Sequence, residues 1–177
     1  MLSFWPRLQN RYTNFFYIPG KFLHETCRLS PDQVSLVSLF FGLATAWMLG
    51  ERNLSAAFIF LFLSLIFDAL DGTIARQYQL ETERGFIIDL LFDRLAEAAI
   101  FSALIAAGYV SWQLALGTYT IILVMTGLML RTKVDLGGRR MMLFLAPMLG
   151  FTFVFYAIIM IQLLAIGLSL ARFNVKI

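Results

Sequence analysis

Asp68-Ala69-Leu70-Asp71-Gly72-Thr73-Ile74-Ala75-Arg76, answered across a polar linker by Gly85-Phe86-Ile87-Ile88-Asp89-Leu90-Leu91-Phe92-Asp93, is the stretch that decides how this chain is read. Both halves lie in apolar sequence that otherwise reads as membrane-spanning helix. Asp68 and Asp71 stand three residues apart and share a helical face, which Gly72 and Ala75 continue. Gly85, Asp89 and Asp93 are spaced by four and form a second single face. With the two helices folded antiparallel about the linker Gln77 to Arg84, Asp71 and Asp89 lie about 6–8 Å deep at 1.5 Å per residue. Asp68 and Asp93 lie about 12 Å deep by the same rise. The spacing predicts four carboxylates paired at two matched levels and converging on one box.

Acids in such a place need an offset. On insertion scales an Asp at mid-helix costs about 2.5–3.5 kcal/mol, and neighbouring like charges repel. Oxygen-only ligands with no His or Cys nearby select Mg²⁺, Mn²⁺ or Ca²⁺ over zinc. A set of carboxylates can hold two ions in the bridged arrangement that serves phosphoryl chemistry. Gly72, Ala75 and Gly85 leave the faces beside the acids nearly bare, so a flat or phosphate-bearing ligand can approach the backbone. A rival reading makes these structural acids paired with Arg76, Arg84 and Arg94, which would leave their matched depths accidental. Another rival is a divalent-cation transporter or channel, since intramembrane carboxylates are a common ion-pathway device. Against it, the acids keep within about 12 Å of one face, leaving the far half of the bundle without polar steps.

The pattern Asp68-x2-Asp71-Gly72-x2-Ala75-Arg76-x8-Gly85-x3-Asp89-x3-Asp93 resembles the complete signature of the CDP-alcohol phosphotransferase family. The resemblance implies a polytopic membrane enzyme of phospholipid biosynthesis that joins a CDP-activated alcohol to an acceptor alcohol and releases CMP. It implies that Asp68, Asp71 and Asp89 hold divalent metal, Mg²⁺ or Mn²⁺ in two ions, with Asp93 as a further carboxylate at the metal site and the general base. Gly72, Ala75 and Gly85 would make room for the cytidine nucleotide, with Arg76 by its phosphates. The family also favours homodimers, and the intact set of acids argues against a catalytically dead relative.

Composition agrees with a membrane protein. The 177 residues are 60% hydrophobic and 14% charged, with mean hydropathy +0.79, where a soluble domain would carry about 25% charged residues. No basic stripe interleaves with exposed aromatics, so nothing points to nucleic acid. The lone Cys27 cannot form an internal disulfide, and His24 reads as an interfacial side chain rather than a ligand. Aromatic and charged residues interrupt the sequence before Leu29, which does not read as a cleavable signal.

Residues 1–28 mix Phe4, Trp5, Phe15, Phe16, Tyr17 and Phe22 with Arg7, Arg11, Lys21 and Arg28, a composition that suits an interfacial amphipathic helix, broken at Pro19-Gly20. A partly disordered arm is the looser reading. Residues 29–177 then form the transmembrane catalytic domain. Ser30 can cap the first span and Pro31 suits its first position. Spans follow at Pro31 to Gly50, Leu54 to Ala75, Gly85 to Ala107 and Gln113 to Leu130. The small residues Ala96, Ala98, Ala99, Ser102 and Ala103 give the third close-packing faces. The basic loop Arg131 to Arg140 follows, and its Arg131, Lys133, Arg139 and Arg140 can bind a phosphate on the acceptor or simply fix topology.

Met141 to Ala171 is long for one crossing and short for two. Two crossings with a turn near 150–156, six in all, place every basic segment on the cytoplasmic side together with the Asp box. The predicted fold is therefore an all-α bundle of six transmembrane helices preceded by an N-terminal interfacial amphipathic helix. Which alcohol accepts stays open among glycerol phosphate, inositol phosphate, inositol, serine and an archaeal-lipid alcohol. The 131–140 loop lacks the fuller basic and acidic pattern expected of inositol-phosphate users.

Overall fold

The computed structural model describes residues 16–132 and 138–174, and among these it is all-helical with no strand. The helices are α1 (Pro31–Gly50), α2 (Leu54–Gln77), α3 (Glu83–Ala106), α4 (Trp112–Thr132), α5 (Arg139–Met142), α6 (Ala146–Leu149) and α7 (Phe151–Asn174). Four of them, α1, α2, α4 and α7, are long and apolar enough to cross a membrane. The chain divides into two compact units, with the boundary inside α3 between Ile100 and Phe101 and with residues 49–52 assigned to the second.

Short polar side chains set the helix starts. Ser30 Oγ accepts from the Gln33 amide at 3.3 Å while Gln33 Oε1 accepts from the Ser30 amide at 2.8 Å, a reciprocal capping box ahead of Pro31. Asn53 caps α2 through the Ala56 amide, and Thr82 accepts from the Gly85 amide at 2.9 Å in the first turn of α3.

In the first unit α1 and α2 run antiparallel and are clasped by two serines. Ser38 Oγ donates to the Ser64 carbonyl at 2.9 Å, and Ser64 Oγ donates back to the Ser38 carbonyl at 3.0 Å. Gly42 lets α3 approach: a Cβ built there would lie 2.8 Å from the Ala96 Cβ. Toward the Asp68–Arg76 end of α2, Val34, Leu70 and Ile74 form a buried cluster on which Phe16, Leu23 and Tyr78 pack. Phe16 and Leu23 belong to the N-terminal segment, helical over 16–21 and π-helical over Phe22–Thr26. Pro19-Gly20 therefore does not break it. His24 Nδ1 donates to the Leu29 carbonyl at 2.9 Å, and its ring packs on Tyr78 with ring centres 4.1 Å apart. The readings placed on Phe4, Trp5, Arg7, Arg11 and Phe15 lie outside the described residues.

In the second unit α4 packs along α7, with Phe101 stacked near Phe155 at 4.6 Å and Tyr109 near Phe151 at 4.9 Å. The stretch expected to turn near 150–156 breaks at Gly150 and is unequal on its two sides. Residues 139–149 form α5, a 3₁₀ turn at Leu143–Leu145 and α6, and α7 follows as one 24-residue helix. The chain breaks at Gly150, whose φ of 84° and ψ of 145° suit glycine alone, just after Pro147 has entered α6. Eleven helical residues rise only about 16 Å, half the hydrocarbon thickness.

Candidate metal centre

The last turns of α2 and the first turns of α3 carry the predicted acids. One carboxylate oxygen from each of Asp68, Asp71 and Asp89 lies within 4.8 Å of the others. Asp71 is almost fully buried, at 5% exposure, and accepts a 2.6 Å hydrogen bond from Ser35 Oγ on α1. A like-charge pair at this spacing costs on the order of 3 kcal/mol at an effective dielectric of about 20. The three acids together call for a cation. Oxygens bound across one Mg²⁺ stand about 4 Å apart and across Ca²⁺ about 5 Å, so this all-oxygen set fits a hard divalent ion.

Asp93 is not in this group. Its carboxylate lies 3.7 Å from Arg94 Nη2, and Arg94 Nη1 in turn lies 2.9 Å from Glu97 Oε2. Three of the four predicted acids therefore cluster, and the fourth lies beside the buried Arg94–Glu97 pair.

A cleft of about 330 Å³ opens beside the cluster, lined by Asp71, Gly72, Ala75 and Arg76 of α2 and by Gly85 and Asp89 of α3. All four residues assigned to the nucleotide therefore line one space with two of the metal acids. A Cβ on Gly72 would meet the Arg76 guanidinium at 3.3 Å, so that glycine gives the arginine a bed. A Cβ on Gly85 would meet Thr82 Oγ1 at 3.1 Å and Asp32 Oδ1 at 3.4 Å.

Two contributors escaped the sequence reading, Asp32 and Ser35 of α1, both of which line the cleft. The signal existed: Ser35, Ser38, Gly42 and Thr45 are spaced three, four and three, a single small and polar face on an otherwise apolar span. Of the four basic residues expected from sequence as acceptor-phosphate candidates, Arg139 and Arg140 are buried at the start of α5 in the second unit, 8% and 6% exposed. Lys133 and the side chain of Arg131 lie outside the described residues.

Comparison with known proteins agrees with the signature. The profile of the CDP-alcohol phosphatidyltransferase family matches residues 28–175. A protein of Aquifex aeolicus named only as uncharacterized is 34% identical over 101 residues, 57% of this chain and 47% of that protein. The bifunctional IPC transferase and DIPP synthase of Rubrobacter xylanophilus is 38% identical over 76 residues, 43% of this chain and 17% of that protein. The archaetidylinositol phosphate synthase of Pyrococcus horikoshii is 27% identical over 97 residues, 52% of each chain. The matches thus span about half the length of these relatives, or less. No solved structure matches the chain.

Proposed function

The chain belongs to the CDP-alcohol phosphatidyltransferase family, and from that premise we propose that it transfers a substituted phosphate from a CDP-linked donor to an acceptor alcohol and releases CMP. The observation that carries this reading is the Asp68, Asp71 and Asp89 cluster opening on the cleft that holds Gly72, Ala75, Arg76 and Gly85. Divalent ions held by the three acids, Mg²⁺ or Mn²⁺ and two in number, would supply the positive charge that offsets the diphosphate as the bond to CMP breaks. Arg76 binds the donor phosphates, and its position over Gly72 keeps the guanidinium at the cleft wall. Asp93 accepts the proton of the acceptor hydroxyl, whose oxygen then bonds to the β-phosphorus while the bond from that phosphorus to the CMP oxygen breaks.

The acceptor we favour carries a phosphate, held by Arg139 and Arg140 with Arg131 and Lys133. Supporting this reading, one relative is named for an inositol-phosphate product in that protein, the archaetidylinositol phosphate synthase. Residues 29–177 act as the catalytic domain and 1–28 as its interfacial segment. Six membrane segments, with 139–149 as a short fifth, would keep the basic stretches and the active site on the cytoplasmic side. At 24 residues α7 rises about 36 Å, more than one hydrocarbon thickness, and so has length to spare for its short neighbour. The small-residue faces of α3 suit a homodimer.

Purified protein supplied with a panel of CDP-linked lipids and acceptor alcohols should release CMP in the presence of Mg²⁺ or Mn²⁺ and stop when the metal is chelated. Metal-ion flux through liposomes without any CMP release would overturn the reading in favour of a transporter.

A further inference from the structure

We propose that Ser35 is a positioning residue of the metal centre, its hydroxyl holding the Asp71 carboxylate in the orientation that binds the cation. The inference rests on the metal-dependent reading above and adds to it a residue from a third helix.

Ser35 Oγ stands 2.6 Å from Asp71 Oδ2 and 3.2 Å from the Pro31 carbonyl of its own helix. A hydroxyl carries one hydrogen, and the shorter contact is to the charged acceptor, so Asp71 receives it. Both side chains are 5% exposed, which leaves little water to substitute for the lost donor. The position of Ser35 is itself fixed. One turn deeper, the Ser38 and Ser64 hydroxyls each donate to the other's carbonyl, which sets the register of α1 against α2. Asp71 meets Asp68 and Asp89 within 4.8 Å, so a free rotation of its carboxylate would spread the donor set. Outer-shell hydrogen bonds of this kind orient metal ligands, and their removal weakens metal affinity about 10- to 100-fold.

A plain interhelical tie would look similar in a static structure, so the test separates the two roles. Mn²⁺ titrated into detergent-purified wild type, Ser35→Ala, Ser35→Thr and Ser38→Ala is followed by electron paramagnetic resonance of the free ion, with thermal unfolding recorded for each. Ser35→Ala should raise the Mn²⁺ Kd about tenfold or more. Ser35→Thr, which keeps the hydroxyl, should recover most of that loss. Ser38→Ala, which leaves the Ser64 Oγ bond to the Ser38 carbonyl to hold the register, should lower the unfolding temperature and raise the Kd far less than Ser35→Ala does. Should Ser35→Ala not fold, Ser35→Cys, a weak donor of similar size, carries the comparison. A Kd within about twofold of wild type in a folded Ser35→Ala or Ser35→Cys would overturn the proposal. Failure of the wild type itself to bind Mn²⁺ would instead overturn the metal-centre reading, and this proposal with it.

Discussion

Arg94 and Glu97, one turn apart on α3, form an ion pair of 2.9 Å with both residues buried, 6% and 3% exposed. They sit just beyond Asp93, which lies 3.7 Å from the same guanidinium. Buried this deeply, the two charges depend on each other. Arg94→Met removes a counter-charge from Glu97 and should destabilise the protein by about 3–5 kcal/mol, whereas Glu97→Gln leaves Arg94 its Asp93 contact and should cost less. The double variant should cost less than the sum of the two single changes. Thermal unfolding of the three variants in one detergent measures the coupling. Additive losses would mean that the two residues act through separate neighbours.

Gly42 makes a second, steric prediction. A methyl group there would sit 2.8 Å from the Ala96 Cβ, a distance at which the helices must move apart. Gly42→Ala should therefore cost about 1–3 kcal/mol, the usual penalty of overpacking. Ala96→Gly in the same chain should return most of the loss, since it removes the opposing atom. Unfolding of the single and double variants decides whether this contact holds α1 to α3.

Much of this arrangement was legible in the sequence because it depends on local chemistry. Ser30 and Pro31 announced the start of α1, and the apolar runs bounded α1 to α4 to within about two residues. The spacing of Asp68, Asp71 and Asp89 brought three acids together as expected. Asp93 lies one turn further along α3, beside Arg94. The part of α1 was harder to see. Its serines look like tolerated hydroxyls in an apolar span until Ser35 is found against Asp71, a contact 36 residues distant in sequence. In the 141–171 run, length alone left one or two crossings open, and charge placement chose two with a turn near 150–156. The break falls at Gly150, whose backbone conformation ends the first helical stretch after eleven residues.

The acids should separate by role. Asp68→Asn, Asp71→Asn and Asp89→Asn each remove a ligand charge and should weaken both Mn²⁺ and CDP-donor binding. Asp93→Asn should abolish turnover while leaving donor binding substantially intact, since Asp93 lies outside the three-acid cluster. Calorimetric titration of a CDP-linked donor into each variant gives the comparison. If Asp93→Asn loses donor binding as severely as Asp71→Asn, Asp93 is chiefly a ligand and its assignment as base is wrong.

The basic residues before and within α5 carry the question of which alcohol accepts. If Arg139 and Arg140 hold an acceptor phosphate, glutamine at either position should raise the acceptor KM with little change in donor affinity. The loss of one charged phosphate contact is worth about 1.5–3 kcal/mol, or roughly 10- to 150-fold. Burial complicates the comparison, because both side chains are under 10% exposed and glutamine in their place can also loosen the fold. Unfolding temperature is therefore measured beside the kinetics, with Arg131 and Lys133 included in the scan. A phosphate site raises KM in variants that stay folded, and added inositol phosphate should raise the unfolding temperature of the wild type but not of the variants. A structural or topological role lowers the unfolding temperature or the amount inserted, and leaves the acceptor KM of the surviving protein within about twofold of wild type. That second result would sink the phosphate-acceptor reading and point to an uncharged or zwitterionic acceptor such as free inositol or serine.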